Sequence, residues 1–527
     1  MVDSTLPPLI RALLRPASYA HPVRKIELVE THISWVLLTG RYAYKIKKPL
    51  NLGFLDFSTL EKRRFFCEQE LRLNRRLAPS LYLEVVPVTG TVSAPAIKGA
   101  GQVIEYAVKM IQFDETARLD RMLARGEMHP EHVDLLAREL AEFHGRIAVA
   151  GSDRHFGDPE HVREPVMQNF VQIRKRIETC DQEQLQHLET WSGAVFDALR
   201  ETFAHRKHDG FVRECHGDAH LANMVWREQR VMLFDCLEFN DNLRWIDVMS
   251  EAAFLVMDLD DRGRSDLARR ALNAYLEHTG DYAGLAVFRF YQVYRALVRA
   301  KVACIRLGQA GLSDNDKKHA REEYRGYAAL AERYTRVPEP ALIITHGLSG
   351  SGKTWFTQQL LESIDAIRVR SDIERKRLHG IAPESRSGSD IGSGIYSPGA
   401  NELTYARLAE LAAGILRAGY NVIIDAAFLQ RRQRDRLHAV AQEMRAPFVI
   451  LDIQTPEPTL RERLRQRPQQ QREASEAGIA VLERQLAGRE PLSDSERRRA
   501  LCVDGAGTVP VATLERQLRA HLAAVRS

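Results

Sequence analysis

The sequence predicts two successive folds: an α+β part up to about residue 335, then an α/β part with a parallel sheet covered by helices on both faces. Three observations lead there. Strand and helix patterns alternate after residue 341, as parallel strands joined by crossover helices require. Strand-type runs crowd into the first 112 residues, whereas helical periodicity takes over from Pro130. Between the two parts lies Arg336-Val337-Pro338-Glu339-Pro340, a proline-rich linker. A chain of 527 residues is also too long for one ordinary domain. The expected organisation is a domain 1–335, with a first lobe of about 1–112 and a second of about 113–335, then a linker 336–340 and a domain 341–527.

In the first lobe, Ile26–Glu30, Ser34–Leu38, Tyr42–Lys47 and Val103–Met110 read as strands, and Thr39-Gly40-Arg41 as a hairpin turn between two of them. A helix from Thr59 to Leu77, entered at Ser58, interrupts them. In the second lobe Val133, Leu136, Leu140 and Phe143 recur at helical spacing and mark a buried face. After the linker, Ala341–His346, Ile367–Val369, Val422–Asp425 and Phe448–Ile453 read as buried strands. Ser385 to Gly399 is rich in glycine and serine and reads as a mobile loop. It lies between the second of these strands and the helix marked by Leu408, Leu411 and Ile415, and reads either as a lid that orders over a bound ligand through Ile391, Ile395 and Tyr396 or as a passive disordered insertion.

Composition excludes several classes. No apolar run approaches the length of a membrane span; Ala252–Met257 is typical of the longest. The N-terminus, with Pro7, Pro8 and Arg11, lacks the apolar segment of a secretion signal. Six cysteines are scattered without a C-x-x-C pair, which predicts reduced thiols and a cytoplasmic location. The net charge of +5, from 75 basic and 70 acidic residues, is too balanced to imply a nucleic acid or membrane partner by itself.

Gly347-Leu348-Ser349-Gly350-Ser351-Gly352-Lys353-Thr354 fills every position of the phosphate-binding pattern G-x-x-x-x-G-K-[ST], between a strand and a helix. The glycines turn backbone N–H groups toward phosphate oxygens, and the helix N-terminus adds a favourable dipole. Lys353 would reach the β- and γ-phosphates of ATP and the Thr354 hydroxyl would ligate Mg²⁺. Asp372, just past the second strand, faces this loop across the sheet crevice and could deprotonate an acceptor hydroxyl. Arg375 could hold an anionic group beside it. An N-cap at Ser371 or Asp372 is the plainer reading of that segment. Asp425 closes its strand as a second Mg²⁺ residue. Arg463 and Arg467 share a helix face and could close over the phosphates, unless the run from Arg461 to Arg467 is simply an exposed basic helix.

His216-Gly217-Asp218-Ala219-His220-Leu221-Ala222-Asn223 precedes the apolar strand Val231–Phe234 and Asp235. A phosphotransferase loop is built this way: Asp218 would accept the acceptor's proton, and Asn223 and Asp235 would ligate Mg²⁺. A metal site on His216 and His220, or an ordinary charged turn, are the alternatives.

H-G-D-x-x-x-x-N before a strand ending in Asp resembles the aminoglycoside phosphotransferase and choline-kinase group, relatives of protein kinases, over residues 25 to 335. Leu136–His144 looks like a helix of that family. The resemblance implies a two-lobed protein-kinase-like fold, with Asp218 as catalytic base, Asn223 and Asp235 as metal ligands, Lys45 as the ATP-phosphate lysine and Glu70 as its helix partner. Lys47, on the same strand face as Lys45, and Glu68 remain rivals, and a solvated run Lys45, Lys47, Lys48 is the bland reading. The hairpin expected over the phosphates, Glu30-Thr31-His32-Ile33-Ser34, departs from the kinase pattern in having no glycine. Residues 341 to about 520 are similar to small P-loop kinases of the zeta-toxin, gluconate-kinase and polynucleotide-kinase group, through the phosphate loop, Asp372-x-x-Arg375, Asp425-Ala426-Ala427-Phe428 and Arg463-x-x-x-Arg467. Ala427 stands where polynucleotide kinases have a polar residue.

The expected function is therefore a two-headed kinase using ATP and Mg²⁺ on a small-molecule hydroxyl. The alternatives are a P-loop kinase with a degenerate regulatory N-terminal domain, and a polynucleotide 5′-hydroxyl kinase. The acceptors and the oligomeric state are not encoded in these motifs.

Overall fold

A computed structural model describes residues 6–51, 53, 55–178, 181–308, 311–383, 385, 393–466, 478–507 and 510–526. Among the described residues the first lobe holds an antiparallel sheet in the order β1-β2-β3-β6-β4-β5. Its strands are β1 Glu27–Glu30, β2 Ser34–Leu38, β3 Tyr42–Lys47, β4 Tyr82–Thr91, β5 Ala94–Ile97 and β6 Val103–Ile111. β3 is central and alternates strictly. Tyr44 and Ile46 join Trp35, Leu37, Val86 and Val88 in a core on one face, so Lys45 and Lys47 must emerge on the other. The expected strands are all present, with ends shifted by at most one residue. β4 and β5 were not expected, because Pro87, Gly90 and Pro95 punctuate them; β4 carries register shifts at Tyr82/Glu84 and Val88/Thr89. β5 is an edge strand, where a proline's missing N–H removes no ladder bond.

The helix of this lobe runs Leu60–Asn74, shorter than Thr59–Leu77, and its cap is Thr59 instead of Ser58: the Thr59 hydroxyl accepts from Lys62 N. The second-lobe helix Pro130–Arg146 buries Val133, Leu136, Leu140 and Phe143 as its spacing predicts. Short strands β7 Val212–Glu214 and β10 Trp245–Asp247 pair with each other, as do β8 Met224–Arg227 and β9 Arg230–Leu233. The helix Val248–Asp261 follows.

The C-terminal part holds a parallel sheet, among the described residues in the order β12-β13-β11-β14-β15. These are β11 Leu342–His346, β12 Ala366–Arg370, β13 Asn421–Asp425, β14 Phe448–Gln454 and β15 Ala500–Asp504. The phosphate-loop strand β11 is central, and Phe356 and Leu360 of the helix behind it pack on Ile343, Ile423, Val449 and Leu451. β15 escaped the sequence reading because it is an edge strand with a single buried residue, Val503, and follows Arg497-Arg498-Arg499.

Two compact units result: Met1–Pro165 with Phe203–Asp258, and Val166–Thr202 with Leu259–Ser527. The helices after Leu259 thus share a unit with the parallel sheet. Cys67, Cys215, Cys236, Cys304 and Cys502 carry thiols. Among the described residues no helix is long and apolar enough to cross a membrane.

Candidate active sites

In the first unit, Lys45 and Lys47 are both buried, so the solvated charge run does not describe them. Lys45 Nζ lies 2.8 Å from Glu70 and also contacts Asp235. Lys47 Nζ lies 2.7 Å from the other Glu70 oxygen and contacts Glu238. Glu68, the rival to Glu70, is on the exposed helix face, paired with Arg64. Burial disfavours each charge, but the lysines outweigh it for Glu70, whose carboxyl is brought down to about 2. In turn Asp235, Glu70 and Glu238 outweigh burial and hold the Lys45 ammonium well above its ordinary value. The two lysines are therefore not equivalent: Lys45 touches the proposed metal ligand, and Lys47 is locked deeper.

The loop around Asp218 is held almost wholly by buried polar groups. Asn223 Nδ2 donates to the Asp218 carboxylate at 2.9 Å and to its carbonyl at 3.1 Å. His216 uses both ring nitrogens locally, Nε2 on Phe234 O at 2.9 Å and Nδ1 toward Asp218 N at 3.3 Å. Burial lowers its pKa and favours the neutral ring. His216 is thus a tie between the loop and the strand end, and does not converge with His220, which pairs with Asp218. Gly217 has φ +89, and a Cβ there would stand 2.8 Å from Leu243 O. Asp235 itself has φ +62, an uncommon conformation for a residue with a side chain. It is held by its N–H on Tyr82 Oη at 3.1 Å and by Cys236 N on Asn74 Oδ1 at 2.9 Å.

Several of these supports were missed from sequence. Glu251 is fully buried and accepts from Gly217 N at 2.6 Å, His216 N at 3.1 Å and His144 Nε2 at 2.9 Å. Asp258 accepts from Leu221 N at 2.9 Å. The available signal was an acid at each end of the apolar run Ala252–Met257, since a buried carboxylate must find donors.

In the second unit a cavity of about 1000 Å³ is lined by Gly350, Gly352, Lys353, Thr354, Arg370, Asp372, Arg375, Asp425 and Arg463, among others. Gly350 and Gly352 have φ +84 and +95, which turns the backbone of the loop. Gly347 and Leu348 carbonyls accept from Lys353 Nζ at 3.0 and 2.8 Å. Ser349 N donates to Gln485 Oε1 at 2.8 Å, a partner no sequence pattern announced. Ser351 Oγ is buried with no hydrogen-bond partner among the described residues, as a loop shaped for a polar ligand would leave it. Asp425 is buried and accepts from Thr357 Oγ1 at 3.3 Å.

Asp372 lies in the first turn of the helix Ser371–Leu378, whose N-terminus has no side-chain cap, so the capping reading is not what is found. Arg375 is 6% exposed; it donates to Ile395 O at 3.0 Å, and its guanidinium lies 5.3 Å from the Tyr396 ring centroid. Its Nε has no hydrogen-bond partner among the described residues. Of the expected lid, the turn Gly394–Tyr396 is thereby docked, while 386–392, with Ile391, lie outside the described residues. Arg463 Nη1 donates to Gly350 O at 3.3 Å. Arg467 lies outside the described residues. Arg461 pairs with Glu457 and Glu483 on the surface.

Residues 63–290 match the model of a phosphotransferase enzyme family, and residues 342–492 match that of an AAA domain. The chain is a fusion of an aminoglycoside-phosphotransferase-like domain with a P-loop kinase-like domain. It is an ATP-dependent phosphotransferase, and domains of this kind use ATP with Mg²⁺. An uncharacterized protein of Mycobacterium tuberculosis is 29% identical over 434 residues, covering 82% of this chain and 84% of that one. Among solved structures, a choline/ethanolamine kinase family protein from Mesorhizobium loti is 14% identical, covers 62% of this chain and 96% of its own, and has a TM-score of 0.38. A gluconokinase from Sinorhizobium meliloti is 23% identical, covers 36% and 94%, and has a TM-score of 0.25.

Proposed function

We propose that the chain carries two kinase heads, 1–335 and 341–527 joined by 336–340, each transferring the γ-phosphoryl group of ATP to a hydroxyl of a small molecule. The hydroxyl oxygen attacks the γ-phosphorus, the bond to the β,γ-bridging oxygen breaks, ADP leaves, and the hydroxyl proton passes to a carboxylate. In the first head that carboxylate is Asp218, oriented by Asn223, with Lys45, held by its helix partner Glu70, on the ATP phosphates. Asn223 and Asp235 would hold Mg²⁺, which neutralises phosphate charge when bound. In the second head Asp372 is the base, Lys353 and Arg463 serve the phosphates, and Thr354 and Asp425 hold the metal.

The observation that carries this reading is that Asp372, Arg370 and Arg375 stand in the wall of the same cavity as the phosphate loop. An acid and two guanidiniums there suit an acceptor with both a hydroxyl and an anionic group. The same reading has the protein working in the cytoplasm, supported by its thiol cysteines.

The test is ATP consumption across a panel of hydroxylated metabolites with the wild type, Lys353→Ala, Asp372→Asn and Asp218→Asn. Lys353→Ala should lose nucleotide binding at the second head, and Asp372→Asn should bind ATP normally but lose transfer. Retained transfer in Asp372→Asn removes Asp372 as the base.

A further inference from the structure

β12 is the edge strand of the parallel sheet, bonded to β13 on one side only. An open edge presents unpaired backbone groups that must find partners when buried. They find Asn273, on the helix Ser265–Thr279: its Nδ2 donates to Ala366 O at 3.0 Å and its Oδ1 accepts from Arg368 N at 2.7 Å. One turn further along that helix stands Glu277. One carboxylate oxygen lies 2.8 Å from Arg368 Nη2, and the other 3.5 Å from Arg370 Nη1. Arg368 Nη1 continues to Thr354 O at 3.4 Å, within the phosphate-loop helix. Arg370 lines the cavity beside Asp372 and Asp425, whereas Glu277 does not reach it.

Two guanidiniums two residues apart on one strand point to the same side and repel each other. Glu277 engages both arginines at once, and Asp425 and Asp372 are the other carboxylates that act on Arg370. Burial disfavours the charge of Glu277, yet Arg368 and Arg370 outweigh that and hold its carboxyl below the ordinary range, so it is ionised at neutral pH.

We propose that Glu277 is a positioning residue of the P-loop head, holding Arg370 so that its free N–H groups face an anionic oxygen in the cavity. The phosphoryl-transfer site of 341–527 is then completed by a side chain from within residues 63–290, the segment matched by the phosphotransferase family model. This rests on the reading of the cavity as a kinase site.

The experiment uses the full chain in an Asp218→Asn background, measuring Mg·ATP turnover to ADP and Mg·AMP-PNP affinity. Glu277→Gln should lower turnover about tenfold with nucleotide affinity within about threefold. Arg370→Ala should lose as much, and the double variant no more than Arg370→Ala alone, because one residue acts through the other. Asn273→Ala, which opens the strand edge but leaves Glu277, should lower Tm while keeping turnover within about twofold below the transition. Wild-type turnover in Glu277→Gln, or losses that multiply in the double variant, overturns the inference alone. Turnover and AMP-PNP binding unaffected by Lys353→Ala overturn the kinase reading of the cavity and this inference with it. Should Glu277→Gln fail to fold, Glu277→Asp, one methylene short of Arg370, carries the same comparison.

Discussion

Lys45 and Lys47 differ by two positions on one strand and face the same way, yet they should respond differently to loss. Lys47 is enclosed with Glu70 and Glu238. Removing it leaves buried carboxylates facing each other, and breaking a buried pair from one side costs roughly 3–5 kcal/mol. Lys47→Met should therefore show chiefly as a loss of Tm. Lys45→Met leaves Lys47 to balance Glu70, so it should keep most of the stability and lose ATP turnover at the first head; thermal melts and turnover on the same samples separate the two. Glu251 gives a pH signature. Burial raises its carboxyl pKa, but His144 and the loop N–H groups outweigh that and bring it down to about 2 from 4.5. A pKa lower in the folded than in the unfolded state stabilises above the unfolded value, so this contribution is present above about pH 4.5 and is lost as pH falls toward 2. Acid titration of Tm should be shallower in Glu251→Gln over that window, and equal slopes would remove Glu251 as the group responsible. The sequence named Asp218, Asn223 and Asp235 because their spacing is set by the chemistry, and Lys45 only through the family resemblance, with Lys47 as its rival. It could not name Glu238 or Glu277, whose spacing is set only by what packs around them, and Glu251 was marked only as an acid flanking an apolar run.

Elements were legible where periodicity was clean and hidden where the chain must bend. β2 and β3 match the sequence reading residue for residue, because their alternation is uninterrupted. β4 and β5 carry proline and glycine inside, and sequence punctuation alone cannot distinguish an irregular or edge strand from a loop. The Asp218 loop shows the same logic at a smaller scale. Gly217 needs a left-handed backbone, which costs a residue with Cβ roughly 1–2 kcal/mol, and the Leu243 carbonyl blocks the space. Gly217→Ala should displace the loop and abolish transfer at the first head while AMP-PNP binding through Lys353 persists. Normal transfer by Gly217→Ala would mean that the loop tolerates the shift.

At the scale of the molecule, the linker 336–340 is a boundary of chain composition and not of packing. The second compact unit runs from Val166–Thr202 and Leu259 to the C-terminus, and Asn273, Glu277 and Arg270 reach β12 and Glu362 across the linker. A fragment beginning at residue 341 should therefore melt well below the parallel-sheet transition of the full chain, with an uncovered strand edge; an equal Tm would show that these contacts contribute little. No sequence motif marks this sharing, because a helix that covers a foreign strand edge keeps an ordinary amphipathic pattern. It also makes point variants of the whole chain the proper probes of each head. The measurement that bears most directly on two working nucleotide sites is the stoichiometry of Mg·AMP-PNP binding to the intact protein by calorimetry. Two molecules per chain are expected for the wild type, one in Lys353→Ala, one in Asp235→Ala and none in the double variant. A single site that survives Lys353→Ala, or two sites that both survive it, would contradict the account.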